Sequence, residues 1–303
     1  MLGHPSQSRR QVLGGMEPRT VVSMANLGAL LFERGSLGEA GTLLHEALHV
    51  RLSTLGALDP LTLRSLDAMG RVHRAKGEHD AAVATATQAL DGRRKVLGHY
   101  HMDTLKAMLH LAAALYDRAM RAPLEARKLD VAKALRLYRD ALDQCRATLG
   151  DRHALTIQAM NNLGNLLHAR GLLMPKFIAG RGPNRKRDET LAEGAELLRE
   201  ALAACQAKHG RTHLESLIGA SNLGSALRSL GGDRVARPGY TADELASIEH
   251  EASGLIREAV AGIAEQCKEP PIETQPRARA DLLEGLAELD EGREALEELA
   301  PRA

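Results

Sequence analysis

"MANLGALLFERGSLGEAGTLLHEALHVRLSTLGALDPLT", residues 24 to 62, reads as one helix, a glycine turn at Gly35, a longer second helix and a second turn at Gly56. Its wording returns along the chain. "LGGMEPRT" from Leu13, "LGALDPLT" from Leu55, "LGHYHMDT" from Leu97, "LGDRHALT" from Leu149 and "HGRTHLES" from His209 share one pattern, with glycines at 14, 56, 98, 150 and 210. Fourteen residues after each glycine stands a small residue: Gly28, Gly70, Ala112, Gly164 and Gly224. Seven further on come Gly35, Gly77, Ala119, Gly171 and Gly231. Eight residues before the opening glycines lie Leu48, Leu90, Leu142 and Leu202, each preceded by alanine.

These columns have a packing logic. A small residue in the middle of the first helix lets the second approach closely, and the alanine of the second helix does the same in return. One such hairpin cannot bury its apolar face, so neighbours must stack. First helices are expected near 18–34, 60–76, 102–118, 154–170 and 214–230. The repeat interval is 42 residues twice, from Gly14 to Gly56 and from Gly56 to Gly98, then 52, 60 and 58. The offsets of 14 and 7 survive inside every unit, so the extra residues enter between first and second helix. The reading is a single solenoid over 1–303, with repeats near 16–56, 58–98, 100–150, 152–210, 212–268 and 270–303. Its insertions fall near 120–130, 172–188 and 232–242. In the last insertion Thr241 and Glu244 have the spacing of a capping box.

Composition agrees. Aromatic residues make up only 2% of the 303, tryptophan is absent, and no stretch alternates apolar and polar residues for long enough to argue for a strand. The fold class expected is all-α. A net charge of +1 gives no global pull toward nucleic acid or an anionic membrane, and no apolar run reaches the ~18 residues of a membrane span. Cys145, Cys205 and Cys267 have no metal-type spacing and form a poor disulfide framework, so they read as reduced structural thiols of a cytoplasmic protein. Residues 8–13 resemble the tail of a second helix, and residues 273–303 form an acidic end suited to capping a solenoid.

The 42-residue period and the "NLG" and "LG..HP.T" wording, with residues 24 to 62 as the best example, resemble tetratricopeptide repeats of the kinesin light chain type. The resemblance spans about residues 8 to 300. It implies an α-solenoid of about six helix pairs winding as a right-handed superhelix, with first helices lining the concave wall. It also implies binding rather than catalysis.

Motifs with catalytic wording have simpler explanations. "HEALH" at 45–49 matches the zinc pattern HExxH, but Glu46-Ala47-Leu48 is the repeat's own column, seen again as Gln88-Ala89-Leu90 and Glu200-Ala201-Leu202. His101, His153 and His213 fall in the column of Asp59 and read as helix caps. "RGPNRKRD" at 181–188 reads as a solvated loop, or as a contact for phosphate or an acidic partner. No phosphate loop or catalytic triad is present, so neither enzyme activity, cofactor nor metal is expected.

"MNNLGNLLHARG", residues 160 to 171, places Asn161, Asn162 and Asn165 inside a helix ahead of a glycine stop, although asparagine is a poor helix former. The resemblance implies that the residue two before the small column faces the groove: Asn26, Ala68, His110, Asn162 and Asn222. One turn back lie Arg64 and Lys106, and one residue past the small column lie Arg71 and Asn165. A carboxamide both donates and accepts, so it can pair with any extended backbone. The alternative is that these asparagines only bond between helices. The site expected is therefore Asn26, Arg64, Arg71, Lys106, His110, Asn162, Asn165 and Asn222, with Asp67 as the counter-charge in the middle. The function expected is a monomeric scaffold for an acidic peptide, with neither nucleic acid nor membrane as partner. The rival reading is a sensor array within a larger, NTPase-containing protein.

Overall fold

The computed structural model describes residues 17–179, 182–231 and 240–268. Residues 8–13, Gly14, Arg181, most of the third insertion and the acidic end at 273–303 lie outside the described residues. Ten helices are described: α1 (Pro18–Glu33), α2 (Leu37–Leu55), α3 (Pro60–Ala75), α4 (His79–Leu97), α5 (Met102–Arg121), α6 (Leu124–Leu149), α7 (Ala154–Leu173), α8 (Arg185–His209), α9 (Leu214–Gly231) and α10 (Ala242–Lys268). The fold is an all-α solenoid of paired helices. None of these helices is long and apolar enough to cross a membrane.

The chain divides into two compact units at Gln144 and Cys145, within α6. In the first unit α1 packs on α2 and α3 on α4, α2 packs on α3 and α4 on α5, and the first helices α1, α3 and α5 touch in turn. In the second, α7 packs on α8, α8 on α9, α9 on α10, and α7 touches α9. The core is thin and aliphatic. Ala47, Ala89 and Ala141 have no exposed surface, and Met24, Leu44, Leu105, Met160 and Leu198 are among the largest fully buried side chains.

The small column acts as the packing argument requires, with one exception. A Cβ added at Gly28 would sit 2.7 Å from Leu44 Cγ, and one at Gly224 2.6 Å from Ile256 Cγ1. At Gly70 the nearest neighbour would be 3.9 Å away, so that glycine is not forced by its partner helix. The turn glycines are explained by backbone: Gly56 and Gly98 sit at φ 86° and 82°, a region where a side chain is strained.

The first helices α5, α7 and α9 are each tied to the turn before them by two side chains, and α3 by one. Asp59 Oδ1 accepts from Leu61 N at 2.8 Å, and His101, His153 and His213 accept through Nδ1 from the residue two further on at 3.1, 3.2 and 3.3 Å. These are the caps expected from the sequence. The buried hydroxyls of Thr104, Thr156 and Ser216 donate to the carbonyls of Gly98, Gly150 and Gly210 at 2.8, 2.8 and 2.7 Å.

Three expectations need correction. The stop at Gly171 is absent: α7 continues to Leu173, and α5 likewise passes Ala119 to end at Arg121. The inserted residues delay the second helix, so the first gains another turn, and Gly171 is buried against Leu191. The expectation of no strand also fails at one place, where β1 (Phe177–Ile178) and β2 (Gly182–Pro183) form a two-residue antiparallel ladder in the second insertion. Finally, the basic run is only partly a loop. Asn184 caps α8, and Arg187 and Asp188 are buried in its first turn. The first insertion serves only to lengthen α5 and α6. Thr241 and Glu244 form the reciprocal capping box, with Thr241 N donating to Glu244 Oε2 at 2.7 Å and Glu244 N to Thr241 Oγ1 at 3.2 Å.

Candidate functional site

On the first unit, Arg64 of α3 and Lys106 of α5 occupy matching positions 42 residues apart, because the repeat length is the same through these units. Both are exposed, and among the described residues neither makes an ion pair. Asn26 on α1 is exposed too, with no side-chain hydrogen bond. Arg71 is different: its Nη2 lies 2.7 Å from Glu33 Oε1, and its guanidinium stacks 4.5 Å above the Phe32 ring. That pair is exposed on both sides, so it holds the arginine only weakly.

Asp67 is turned inward rather than serving the surface. Its carboxylate is clamped by the buried Arg93 of α4. His110 Nδ1 stands 3.7 Å from the other oxygen, beyond hydrogen-bond reach but near enough for a charge to be felt. Burial pushes the Asp67 carboxyl up, while His110 and Arg93 together outweigh this and leave it below the ordinary value. His110 is half-buried beside it, in a narrow cleft that also touches Arg71 and Arg74. The acid expected to balance this face is therefore engaged from behind by the second helix.

The second unit carries the amides. Asn162 and Asn165 on α7 are half-buried and, among the described residues, make no side-chain hydrogen bond. Asn222 on α9 donates through Nδ2 to Asn161 Oδ1 at 3.1 Å. A second cross-helix pair lies farther along, where His168 Nε2 and Ser229 Oγ are 2.8 Å apart. Burial lowers the basicity of His168, so the imidazole is held neutral there. The two readings of the asparagines thus divide by residue: Asn161 and Asn222 bond between helices, and Asn162 and Asn165 are left open.

A column that sequence reading missed explains the inward turn of Asp67. Arg51, Arg93, Cys145 and Cys205 share one repeat position in the second helices, and all four are buried. Arg51 Nη1 donates to Ser65 Oγ at 2.6 Å and Leu61 O at 3.2 Å, and Arg93 takes Asp67. Two arginines 42 residues apart, both facing polar residues of α3, were the available signal. In the later units the same space holds thiols, and burial pushes Cys145 up to about 11.

His45 and His49 are both exposed on α2 and gather no further ligand among the described residues. The group that does converge is His209, His213 and Glu215, whose ligand atoms lie within 4.8 Å of one another, with the two rings stacked at 4.6 Å. His213 already spends Nδ1 on the cap of α9, which puts its proton on the other nitrogen. Metal binding there would require giving up that cap.

Comparison with known proteins supports the same architecture. The tetratricopeptide repeat family matches residues 20–95 and 121–173. No curated protein matches the chain. Among solved structures, a Podosopora anserina protein of kinesin light chain type with nearly identical TPR-like repeats is similar at 20% identity and TM-score 0.55, covering 88% of this chain and 100% of that one. BtubC (BKLC) from P. vanneervenii is similar at 18% identity and TM-score 0.59, over 88% of this chain and 90% of that one. Likeness at these identities concerns the fold. Tetratricopeptide repeats form scaffolds for protein–protein interaction, and their partners are proteins. The chain matches the tetratricopeptide repeat family over residues 20–95 and 121–173, and its helix pairs share the fold of kinesin light chain-type repeats.

Proposed function

We propose that the chain is a non-enzymatic scaffold whose first-helix faces bind an extended, acidic partner segment in the concave groove. The observation that carries this is the pair Arg64 and Lys106: exposed cations at matched positions on adjacent first helices, without an acid of their own, while Asp67 is held by Arg93. Like charges held near one another repel until an anion neutralises them, so this face favours a partner carrying Asp or Glu. Arg71 joins by exchanging its exposed pairing with Glu33 for the partner, and Asn26, exposed on α1, adds an amide without a hydrogen bond among the described residues.

The second unit's face acts on backbone rather than charge. Asn162 and Asn165 offer free amides, and Asn222, fixed by Asn161, is placed to accept through its remaining oxygen. His110 sits too close to the Asp67 and Arg93 pair to act alone and serves to steady that pair. Affinity is modest, roughly micromolar, because ordering a flexible peptide offsets much of the contact energy. A fluorescence-polarisation titration of an acid-rich peptide library tests this. Wild type binds and Arg64→Glu plus Lys106→Glu does not; equal binding by both refutes it.

A further inference from the structure

The second insertion has a surface that the peptide reading does not use. No Asp or Glu occurs between Asp151 and Asp188, a stretch that includes Arg170, Lys176, Arg185, Lys186 and Arg187. Arg187 is buried, but Lys176, Arg185 and Lys186 are exposed, and Arg185 and Lys186 make no ion pair among the described residues. The nearest exposed acid along the chain is Glu189, one turn into α8. Four large apolar side chains within residues 172–178 stand in solvent: Leu172 at 52%, Leu173 at 54%, Phe177 at 55% and Ile178 at 40% exposure. The chain has two phenylalanines, and the other, Phe32, is buried.

The segment is held in place. Asn184 N donates to Lys176 O at 2.8 Å, Asn184 Nδ2 to Pro175 O at 2.9 Å, and the Phe177 and Pro183 strands pair. The buried Asn184 thus fixes the base of a short ladder whose Phe177 and Ile178 are exposed. Leaving four such side chains in water is unfavourable, and large exposed apolar side chains grouped along so short a segment mark a contact surface.

We propose that this hairpin docks the protein onto an anionic lipid bilayer. The charge sets the sign of the surface it meets, since Arg185 and Lys186, which have no acid partner among the described residues, call for an anionic one. A bilayer receives exposed apolar side chains such as Phe177 and Ile178 at its headgroup boundary without needing a shaped counterpart. The contact is peripheral and reversible, and is independent of the first-helix faces.

The test is flotation with vesicles of phosphatidylcholine alone and of phosphatidylcholine with phosphatidylserine. The full chain is expected to float only with the anionic vesicles. Neutralising Arg185 and Lys186 to Gln weakens this about 30-fold, taking about 1 kcal/mol per cation. Phe177→Ala plus Ile178→Ala weakens it about tenfold. The chain has no tryptophan, so Phe177→Trp supplies a single reporter whose emission shifts to the blue on anionic vesicles. Absence of flotation, no blue shift, flotation indifferent to Phe177 and Ile178, or binding to polyglutamate in place of vesicles would each overturn the proposal.

Discussion

Substituting alanine at two members of the same glycine column should have opposite effects. At Gly164 an added Cβ would meet Leu198 Cγ at 2.7 Å and the carbonyl oxygen of Gly194 at 3.0 Å. The leucine can move, but the carbonyl belongs to α8 and can yield only if the helix shifts. Overpacking of this kind costs about 1–3 kcal/mol, and the gain in helix propensity from glycine to alanine offsets up to about 1. Gly164→Ala is therefore net destabilising by about 1–2 kcal/mol, a drop in thermal midpoint of about 2–6 °C for a chain of this size. At Gly70 the nearest atom is Ala86 N at 3.9 Å, an ordinary contact. There the propensity gain stands alone, and Gly70→Ala stabilises by about 0.5–1 kcal/mol. Circular dichroism at 222 nm against temperature and against urea reads both variants. A midpoint raised by Gly70→Ala and lowered by Gly164→Ala is expected; loss of stability in both, or in neither, would refute the close-approach reasoning.

Two further outcomes follow from buried and exposed charge. Arg93→Ala strands the Asp67 carboxylate and should destabilise by about 3–5 kcal/mol, whereas Arg71→Ala, which breaks an exposed pair, should cost no more than about 1; urea titration of the two variants checks the contrast. His168 has its pKa lowered by burial, so the unfolded chain binds the proton more readily than the folded one. Stability therefore falls as pH drops below the ordinary histidine value of about 6.5 and levels off once pH passes the lowered folded value. Thermal midpoints from pH 8 to 5 should show this acid loss, and His168→Gln should lessen it.

The repeat was legible because packing writes it into the sequence at fixed offsets. Gly28, Gly164 and Gly224 report helix contacts, and Asp59, His101, His153 and His213 report caps. What misled was the assumption that a glycine in the turn column ends a helix. Gly35 and Gly77 do so at φ 81° and 75°, whereas Gly171 lies inside α7, where it is selected for contact with Leu191 rather than for its backbone. A one-letter column cannot separate these two uses of the same residue. The surface positions of Arg64 and Lys106 were more legible than the charge around them. Arg64 and Lys106 could be placed from the period alone, but Asp67 had to be assigned to a face without knowing that Arg93, on the helix behind, would claim it. Partners from different elements leave no mark at short spacing, which is also why the Asn222 to Asn161 bond, 61 residues apart, could not be told from free amides in advance.

The most direct measurement of the acidic-segment proposal is a charge-swap cycle. An acid-rich peptide selected on wild type is compared with its Glu→Lys counterpart, each titrated by fluorescence polarisation against wild type and against Arg64→Glu plus Lys106→Glu at low and at physiological salt. Charge-assisted contacts of about 1–2 kcal/mol each predict that either single change weakens binding at least about tenfold, that the doubly swapped pair recovers much of the loss, and that added salt weakens the native pair. If the swapped pair binds no better than either mismatch, or salt leaves the native pair unchanged, then Arg64 and Lys106 do not recognise the partner's acids.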